Sequence, residues 1–109
     1  MEKIKVIIKR PDEKVGHVTY ISNTLENLQK SVGGYIEAVP LGARDAIIIF
    51  DEDGKNKPYE TNFLMGTFLQ DRVVGTVVIC GTEGEEFGDV PITLKEWKLI
   101  LKMWGNKTR

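Results

Sequence analysis

Apolar and polar residues alternate in two neighbouring stretches near the start of the chain, and this alternation predicts a β-hairpin. Residues 3–9 place isoleucine or valine at every second position of one face, which is typical of a half-buried strand. A polar turn containing Pro11 and Asp12 follows. The alternation resumes over residues 15–21, so we expect the two stretches to pair.

A helix is predicted over residues 24–32, because both of its ends carry the expected signals. Asn23 is suited to be the N-cap, since its side-chain oxygen can accept an orphan backbone N–H, and Glu26 lies where it would complete a capping box. Gly33 and Gly34 end the helix, since glycine readily adopts the left-handed conformation of a C-cap. The apolar side of this helix is formed by Leu25, Leu28 and Val32.

A second helix is predicted close to the C-terminal end of the chain. Thr93 and Glu96 have the spacing of a capping box, and Gly105 ends the helical pattern. The apolar stripe consists of Leu94, Trp97, Ile100, Leu101 and Trp104. We expect this stripe to pack against a sheet, with an exposed surface for a partner as the alternative.

Three further apolar runs predict strands between the two helices: residues 35–39, 46–50 and 73–80. The run at 46–50 is continuous, which is typical of a strand buried on both faces. Residues 55–70 are expected to cross over the sheet with a short helical turn, and residues 81–88 are expected to be a mobile loop. The helical turn is indicated by the spacing of Tyr59, Phe63, Leu64 and Phe68.

These elements predict an α+β fold: an antiparallel or mixed sheet of about five strands, with two helices packed on one face. The chain has 109 residues, which is the size of one domain. We expect residues 1–105 to form that domain and residues 106–109 to be a disordered tail.

The stretch NTLENLQKSVGGYIEAVPL, residues 23–41, resembles a family of small domains of unknown function found mainly in bacteriophages and mobile elements. The resemblance is carried by an Asn-x-Leu…Val-Gly-Gly-Tyr-Ile-Glu motif. It extends over residues 4–94 and includes the acidic turn at 51–54, the downstream Asn62, and the Gly-Thr at Gly75 with its aliphatic strand. No activity is established for the family, so the resemblance implies a phage-related context and no reaction.

Charge and composition argue against several classes of partner. Lys and Arg number 15 and Asp and Glu 16, for a net charge of −1, whereas proteins that bind duplex nucleic acid are usually basic. A duplex partner is therefore unlikely. The sequence shows no secretory h-region, and no apolar run approaches the length of a membrane span. We expect a cytoplasmic protein without a membrane partner.

Few residues have the pattern of a catalytic or metal-binding site. Cys80 is the only cysteine and His17 the only histidine, and no third group is placed to orient them for nucleophilic catalysis. Cys80 is expected to be a small buried apolar residue. The turn at residues 51–54 lacks the ligand spacing of a calcium loop and is expected to be a solvated hairpin turn. We predict no enzyme activity, no metal and no cofactor.

Four residues are candidates for a ligand-binding site. Tyr35 and Glu37 share one face of a strand, where a ring and a carboxylate could bind a ligand; the alternative is an exposed face with a cross-strand salt bridge. Asn62 is the third candidate, with a cap or turn role as its alternative. Arg72 is the fourth, because a guanidinium binds phosphate or carboxylate; the alternative is a solvated loop.

The function expected from this resemblance is that of a non-enzymatic accessory protein of a phage or mobile element. It would counter a bacterial defence by binding a host protein or by sequestering a small nucleotide signal. The alternative is a structural or regulatory interaction module that forms a homodimer, because a sheet of this size leaves edges and apolar surface to cover.

Overall fold

The computed structural model describes residues 2–109 and confirms an α+β fold with an antiparallel sheet. The main sheet has six strands, one more than expected, in the order β2-β1-β7-β4-β3 with β8 paired to β7; β5 and β6 form a separate two-stranded sheet. The strands are β1 (Lys3–Lys9), β2 (His17–Ser22), β3 (Ile36–Pro40), β4 (Ile47–Asp51), β5 (Thr61–Met65), β6 (Asp71–Val74), β7 (Val77–Glu83) and β8 (Glu86–Gly88). The helices are α1 (Leu25–Val32) and α2 (Leu94–Met103), with a 3-10 turn at Gly54–Asn56.

Strand β7 lies at the centre of the sheet and is buried over its first five residues. Its residue Ile79 is paired with Ile7 of β1 on one side and with Ile48 of β4 on the other. A strand with both edges paired and both faces covered needs a continuous apolar sequence, and residues 77–80 provide it. The predicted hairpin of β1 and β2 is confirmed and forms one wing of the sheet.

The two helices lie on opposite faces of the sheet, which corrects the expectation that they share one face. Trp97 and Leu101 of α2 belong to a core that includes Ile48 and Ile79. Leu28 and Val32 of α1 belong to a second core with Ile49, Val78 and Cys80. Successive strand residues point to opposite faces, so an unbroken apolar run makes both faces of the sheet apolar. Each face therefore requires its own cover.

Helix α1 ends as predicted but begins one residue later. Its N-cap is Thr24, whose hydroxyl accepts the backbone N–H of Asn27, so the capping box expected from Asn23 and Glu26 is wrong. The side chain of Asn23 instead donates to the carbonyl oxygen of Phe87 at 2.8 Å. Gly33 is the left-handed C-cap, with φ of 92°.

The apolar side of α1 is narrower than expected. Leu28 and Val32 are buried, whereas the side chain of Leu25 is 59% exposed. Leu25 is the first residue of the helix and points away from the sheet core. The prediction that Leu25 contributes to the buried face is therefore wrong.

The sequence predicted a short helical turn within residues 55–70 and one long strand over residues 73–80. The structure instead has two separate strands, β5 and β6, between β4 and β7. Residues 61–65 form β5, which pairs with β6, so Phe63 and Leu64 lie on opposite faces of a two-stranded ribbon. The run at 73–80 is divided at Gly75, whose φ of 73° turns the chain from β6 into β7. Residues 81–88 form the β7–β8 hairpin, which corrects the expectation of a mobile loop.

Helix α2 agrees with its prediction. Thr93 and Glu96 form a complete capping box, and Gly105 follows the helix with φ of 86°. Trp97 is fully buried and donates from Nε1 to the carbonyl oxygen of Val15 at 2.8 Å. The packing interpretation of the apolar stripe is therefore confirmed for Trp97.

Asn106, the first residue of the predicted tail, lies against β5. The side chain of Asn106 bonds to both backbone groups of Leu64, at 2.9 and 2.8 Å. The domain boundary at residue 105 and the disorder of the residues that follow stay predictions. Within residues 2–109, no helix has the length and apolarity to cross a membrane.

Gly33 and Gly42 form a matched pair for testing the end of α1, because both have φ near 90°. A Cβ on Gly42 would meet nothing within 4 Å, whereas one on Gly33 would overlap the hydroxyl of Tyr59. We expect Gly42→Ala to cost about 1 kcal/mol through backbone strain alone. Gly33→Ala should cost clearly more, because Tyr59 must also move. Denaturant unfolding measures both, and equal losses would show that Tyr59 is not packed on this glycine.

Candidate functional site

A cavity of about 280 Å³ lies between the β3–β4 edge of the main sheet and strand β6. Its walls include Glu37, Phe50, Glu52, Lys55, Asp71 and Arg72. The structure therefore brings together two of the residues singled out from the sequence, Glu37 and Arg72. We call this cavity the β3–β6 groove.

One side of the β3–β6 groove is closed by an ion pair. The Nζ atom of Lys55 lies 2.6 Å from the Oδ1 atom of Asp71. The hydrogen bond from Lys55 lowers the pKa of the Asp71 carboxyl, so this acid is ionised and its charge is balanced.

The remaining charges give the groove a negative excess. Arg72 is exposed and donates from Nη1 to the hydroxyl of Thr61 at 3.1 Å. Neither Glu37 nor Glu52 forms an ion pair within the described chain. Two free carboxylates thus face one guanidinium, which favours a ligand that is cationic or rich in hydrogen-bond donors.

Tyr35 lies beside the groove rather than in it. Its ring is 72% exposed and borders a neighbouring depression together with Gly34 and Glu52. The carbonyl oxygen of Tyr35 accepts the backbone N–H of Glu52 at 2.9 Å, so the residue is anchored at the edge of the sheet. A ligand in the groove could reach this ring only by extending past Glu52.

Asn62 lies apart from the other three candidates, and its amide is fully used within the fold. Its Nδ2 donates to the carbonyl oxygens of Lys9 and Gly75, both at 2.7 Å. Its Oδ1 accepts from the buried ammonium of Lys9 at 2.6 Å. Burial lowers the pKa of Lys9, whose other acceptors are the carbonyls of Glu13 and Asn62. Asn62 therefore joins β5 to β1 and to the turn that precedes β7.

A buried carboxylate, Asp51, also lines the groove, and its role was not recognised in the sequence. It accepts hydrogen bonds from the Nζ of Lys57 at 2.6 Å, the hydroxyl of Tyr59 at 2.9 Å and the backbone N–H of Asp53 at 2.9 Å. Burial alone would raise the pKa of Asp51, but these hydrogen bonds outweigh it and lower the pKa. The expectation of a solvated hairpin turn at residues 51–54 is therefore wrong for Asp51, whose side chain is 2% exposed. We call Asp51, Lys57 and Tyr59 the Asp51 network.

Three glycines enclose the Asp51 network. A Cβ on Gly34 would lie 2.7 Å from both carboxylate oxygens of Asp51, and one on Gly75 would lie 2.9 Å from the ring of Tyr59. Lys57 also donates to the carbonyl oxygen of Gly33 at 3.2 Å, at the negative end of the α1 dipole. The absence of a side chain at these positions is therefore a packing requirement.

Residues 4–104 match the family described as "Domain of unknown function (DUF3846)". The chain belongs to this family. No curated protein and no solved structure matches the chain. The match covers nearly the whole described fold, including the β3–β6 groove and the Asp51 network.

The glycines that carry the sequence resemblance have a structural role in this DUF3846 domain. Gly33 and Gly34 lie over Tyr59 and Asp51, so the Val-Gly-Gly-Tyr-Ile-Glu motif holds α1 against the end of β4. Asp51, Lys57 and Tyr59 were missed because residues 51–59 read as a polar turn and loop. The available signal was the position of Asp51 directly after the continuous apolar run at residues 46–50, where a carboxylate needs partners.

The one thiol of this DUF3846 domain is packed in the core. Cys80 is fully buried on β7, and burial raises its pKa to about 12. The thiol is therefore protonated near neutral pH, as expected for a small apolar residue. His17 lies on the surface beside Glu13, with its Nδ1 2.7 Å from the carboxylate.

The β5–β6 ribbon of this DUF3846 domain ends in an apolar tip. Phe68 and Leu69 are 97% and 95% exposed, the highest values among the large apolar residues of the described chain. The turn that carries them is fixed to the end of α2, because Gln70 donates from Nε2 to the carbonyl oxygens of Gly66 and Trp104 at 3.0 and 2.5 Å. We call Phe68 and Leu69 the ribbon tip.

Replacing Asn62 by alanine tests the role of its amide. The change leaves the carbonyls of Lys9 and Gly75 without the amide donor and removes one of the three acceptors of the Lys9 ammonium, so we expect a loss of about 3 kcal/mol in the free energy of unfolding. Asn56→Ala is the control, because Asn56 is exposed and bonds only to Asp53; it should cost no more than about 0.5 kcal/mol. Similar losses for the two variants would show that Asn62 is free to serve a ligand.

The stability contributed by Asp51 should depend on pH. Its pKa is lower in the folded than in the unfolded chain, so its contribution is fully present above the unfolded value of about 3.9 and is lost as the pH falls through the folded value. Asp51→Asn has no such charge. The difference in free energy of unfolding between wild type and this variant should be largest at neutral pH and shrink below pH ~4. A difference that stays constant from neutral pH to pH ~3 would contradict the proposed network.

Proposed function

We propose that this DUF3846 domain is a non-enzymatic accessory protein of a bacteriophage or mobile element that counters a bacterial defence by binding a host protein. It would act in the cytoplasm of the host. The phage context rests on the resemblance of residues 23–41 to domains from such elements. The choice of a protein partner rests on the surface of the fold.

The observation that carries the choice is the ribbon tip. Two neighbouring large apolar side chains stand almost fully in solvent, on a turn held by Gln70 and Trp104 rather than on a loose loop. Contiguous exposed apolar residues mark interaction sites on soluble proteins. A rigid support reduces the entropy lost on binding, which suits an anchor that inserts into a pocket on a partner.

The charge of the β3–β6 groove discriminates between the two partners expected from the sequence, a host protein and a small nucleotide signal. A nucleotide signal carries phosphate, which the carboxylates of Glu37 and Glu52 would repel. A lysine or arginine side chain of a protein would be attracted to the same groove. The groove therefore supports a basic segment of a host protein in preference to a nucleotide.

We expect removal of the ribbon tip to abolish function without loss of the fold. The double variant Phe68→Ser/Leu69→Ser should reduce the protection of a sensitive phage in a defended bacterium by about tenfold or more, since anchor residues dominate binding energy. Its melting temperature should not fall, because both side chains are already solvated. Leu99→Ser, which changes an exposed leucine on α2, is the control and should retain activity.

Two results would overturn this proposal. Full protection by the double variant, with loss in the Leu99 control, would remove the ribbon tip from the interface. A rise of several degrees in melting temperature with any member of a nucleotide panel would favour the nucleotide signal. The variant Glu37→Gln then tests whether the groove is the binding site. If a basic protein segment binds there, the variant should weaken binding while leaving the melting temperature unchanged.

A further inference from the structure

Strand β2 forms one edge of the main sheet and lacks the usual protection of an edge. It pairs only with β1, and the outer backbone groups of residues 17–21 have no partner within the described chain. Its sequence, HVTYIS, contains no lysine, carboxylate or proline. Such residues normally prevent edge strands from pairing with another chain. The opposite edge, β3, carries both Glu37 and Pro40.

Exposed apolar side chains accumulate along this unprotected edge. Val18 and Tyr20 project from one face of β2 and are 39% and 61% exposed. Leu25, whose exposure the sequence did not predict, lies three residues after the last residue of the strand, at the start of α1. A strand added outside β2 would lie beside Val18 and Tyr20, so backbone pairing and apolar cover would be obtained together.

We propose that two copies of the chain pair antiparallel through β2, about a two-fold axis at Thr19. In an antiparallel pair, directly opposed residues point to the same face of the sheet. The two-fold axis must therefore pass between two copies of the same residue. With Thr19 at the axis, Val18 of one copy lies opposite Tyr20 of the other, and this pair occurs twice. Aromatic residues opposite β-branched residues are among the favourable cross-strand pairs. The two six-stranded sheets then form one continuous sheet.

The charges at the ends of β2 favour a second copy as the occupant. Lys14 precedes the strand and Glu26 follows it; both are exposed, and neither forms an ion pair within the described chain. In this antiparallel pair, the Lys14 end of β2 in one copy lies next to the Glu26 end of β2 in the other copy. The interface thus gains an opposite-charge pair at both ends, while its centre is uncharged.

The oligomeric state of the full chain tests this interface. Sedimentation of the wild type at high micromolar concentration should give twice the monomer mass of 12.3 kDa. Tyr20→Lys should give the monomer, because it places a lysine on each side of the axis, while the melting of the monomer is retained. Tyr35→Lys is the control, since Tyr35 is also exposed but lies beside the opposite edge. A monomeric wild type, or a dimer that persists in Tyr20→Lys, would overturn the proposal.

A charge reversal then tests the antiparallel arrangement. Lys14→Glu and Glu26→Lys should each raise the dimer dissociation constant by about threefold or more, and the double variant should restore it. A double variant weaker than either single one would rule out this arrangement. The dimer is independent of partner binding, so Phe68→Ser/Leu69→Ser should leave the dissociation constant unchanged.

Discussion

The hydrogen bonding of one buried carboxylate, Asp51, holds the separate parts of this fold in place. A buried charge is costly unless its acceptor oxygens are satisfied, and here the donors come from three later points of the chain, at Asp53, Lys57 and Tyr59. Their convergence fixes the path from β4 to β5. It also requires that the end of α1 carry no side chain at Gly34, directly over the carboxylate. Gly34 thus allows the end of α1 to approach Asp51, while Leu28 and Val32 pack the helix on the sheet.

Most of the fold could be predicted because its signals are local. The capping box at Thr93 and the left-handed Gly33 depend on neighbouring residues and are found as expected. Strand β1 forms where its alternation predicts, but Ile7 and Lys9 are buried although the pattern placed them on the exposed face. The cap of α1 could not be assigned, because Asn23 and Thr24 are both good caps and the choice depends on a distant bond from Asn23 to Phe87. The side of the sheet that each helix covers also depends on contacts that periodicity does not encode.

The candidate site was predictable only in part, for the same reason. Glu37 and Arg72 were chosen by residue type and line one groove, whereas the amide of Asn62 is consumed within the fold. Asp51 was missed because a run of acids resembles a solvated turn when its partners are several residues away. The buried polar groups of this domain therefore bond to one another and stabilise the fold. The properties available to a partner lie on its surface, at the ribbon tip, the groove and the edge of β2.

The most direct test of this account is an NMR titration of the Asp51 carboxyl carbon in the wild-type protein. We expect the signal to titrate with a pKa clearly below the ordinary value of about 3.9, because three donors stabilise the ionised form within the fold. A pKa at or above that value would show that burial outweighs the donors. Asp51 would then not be the charge that joins β4, α1 and Tyr59, and the central claim would fail.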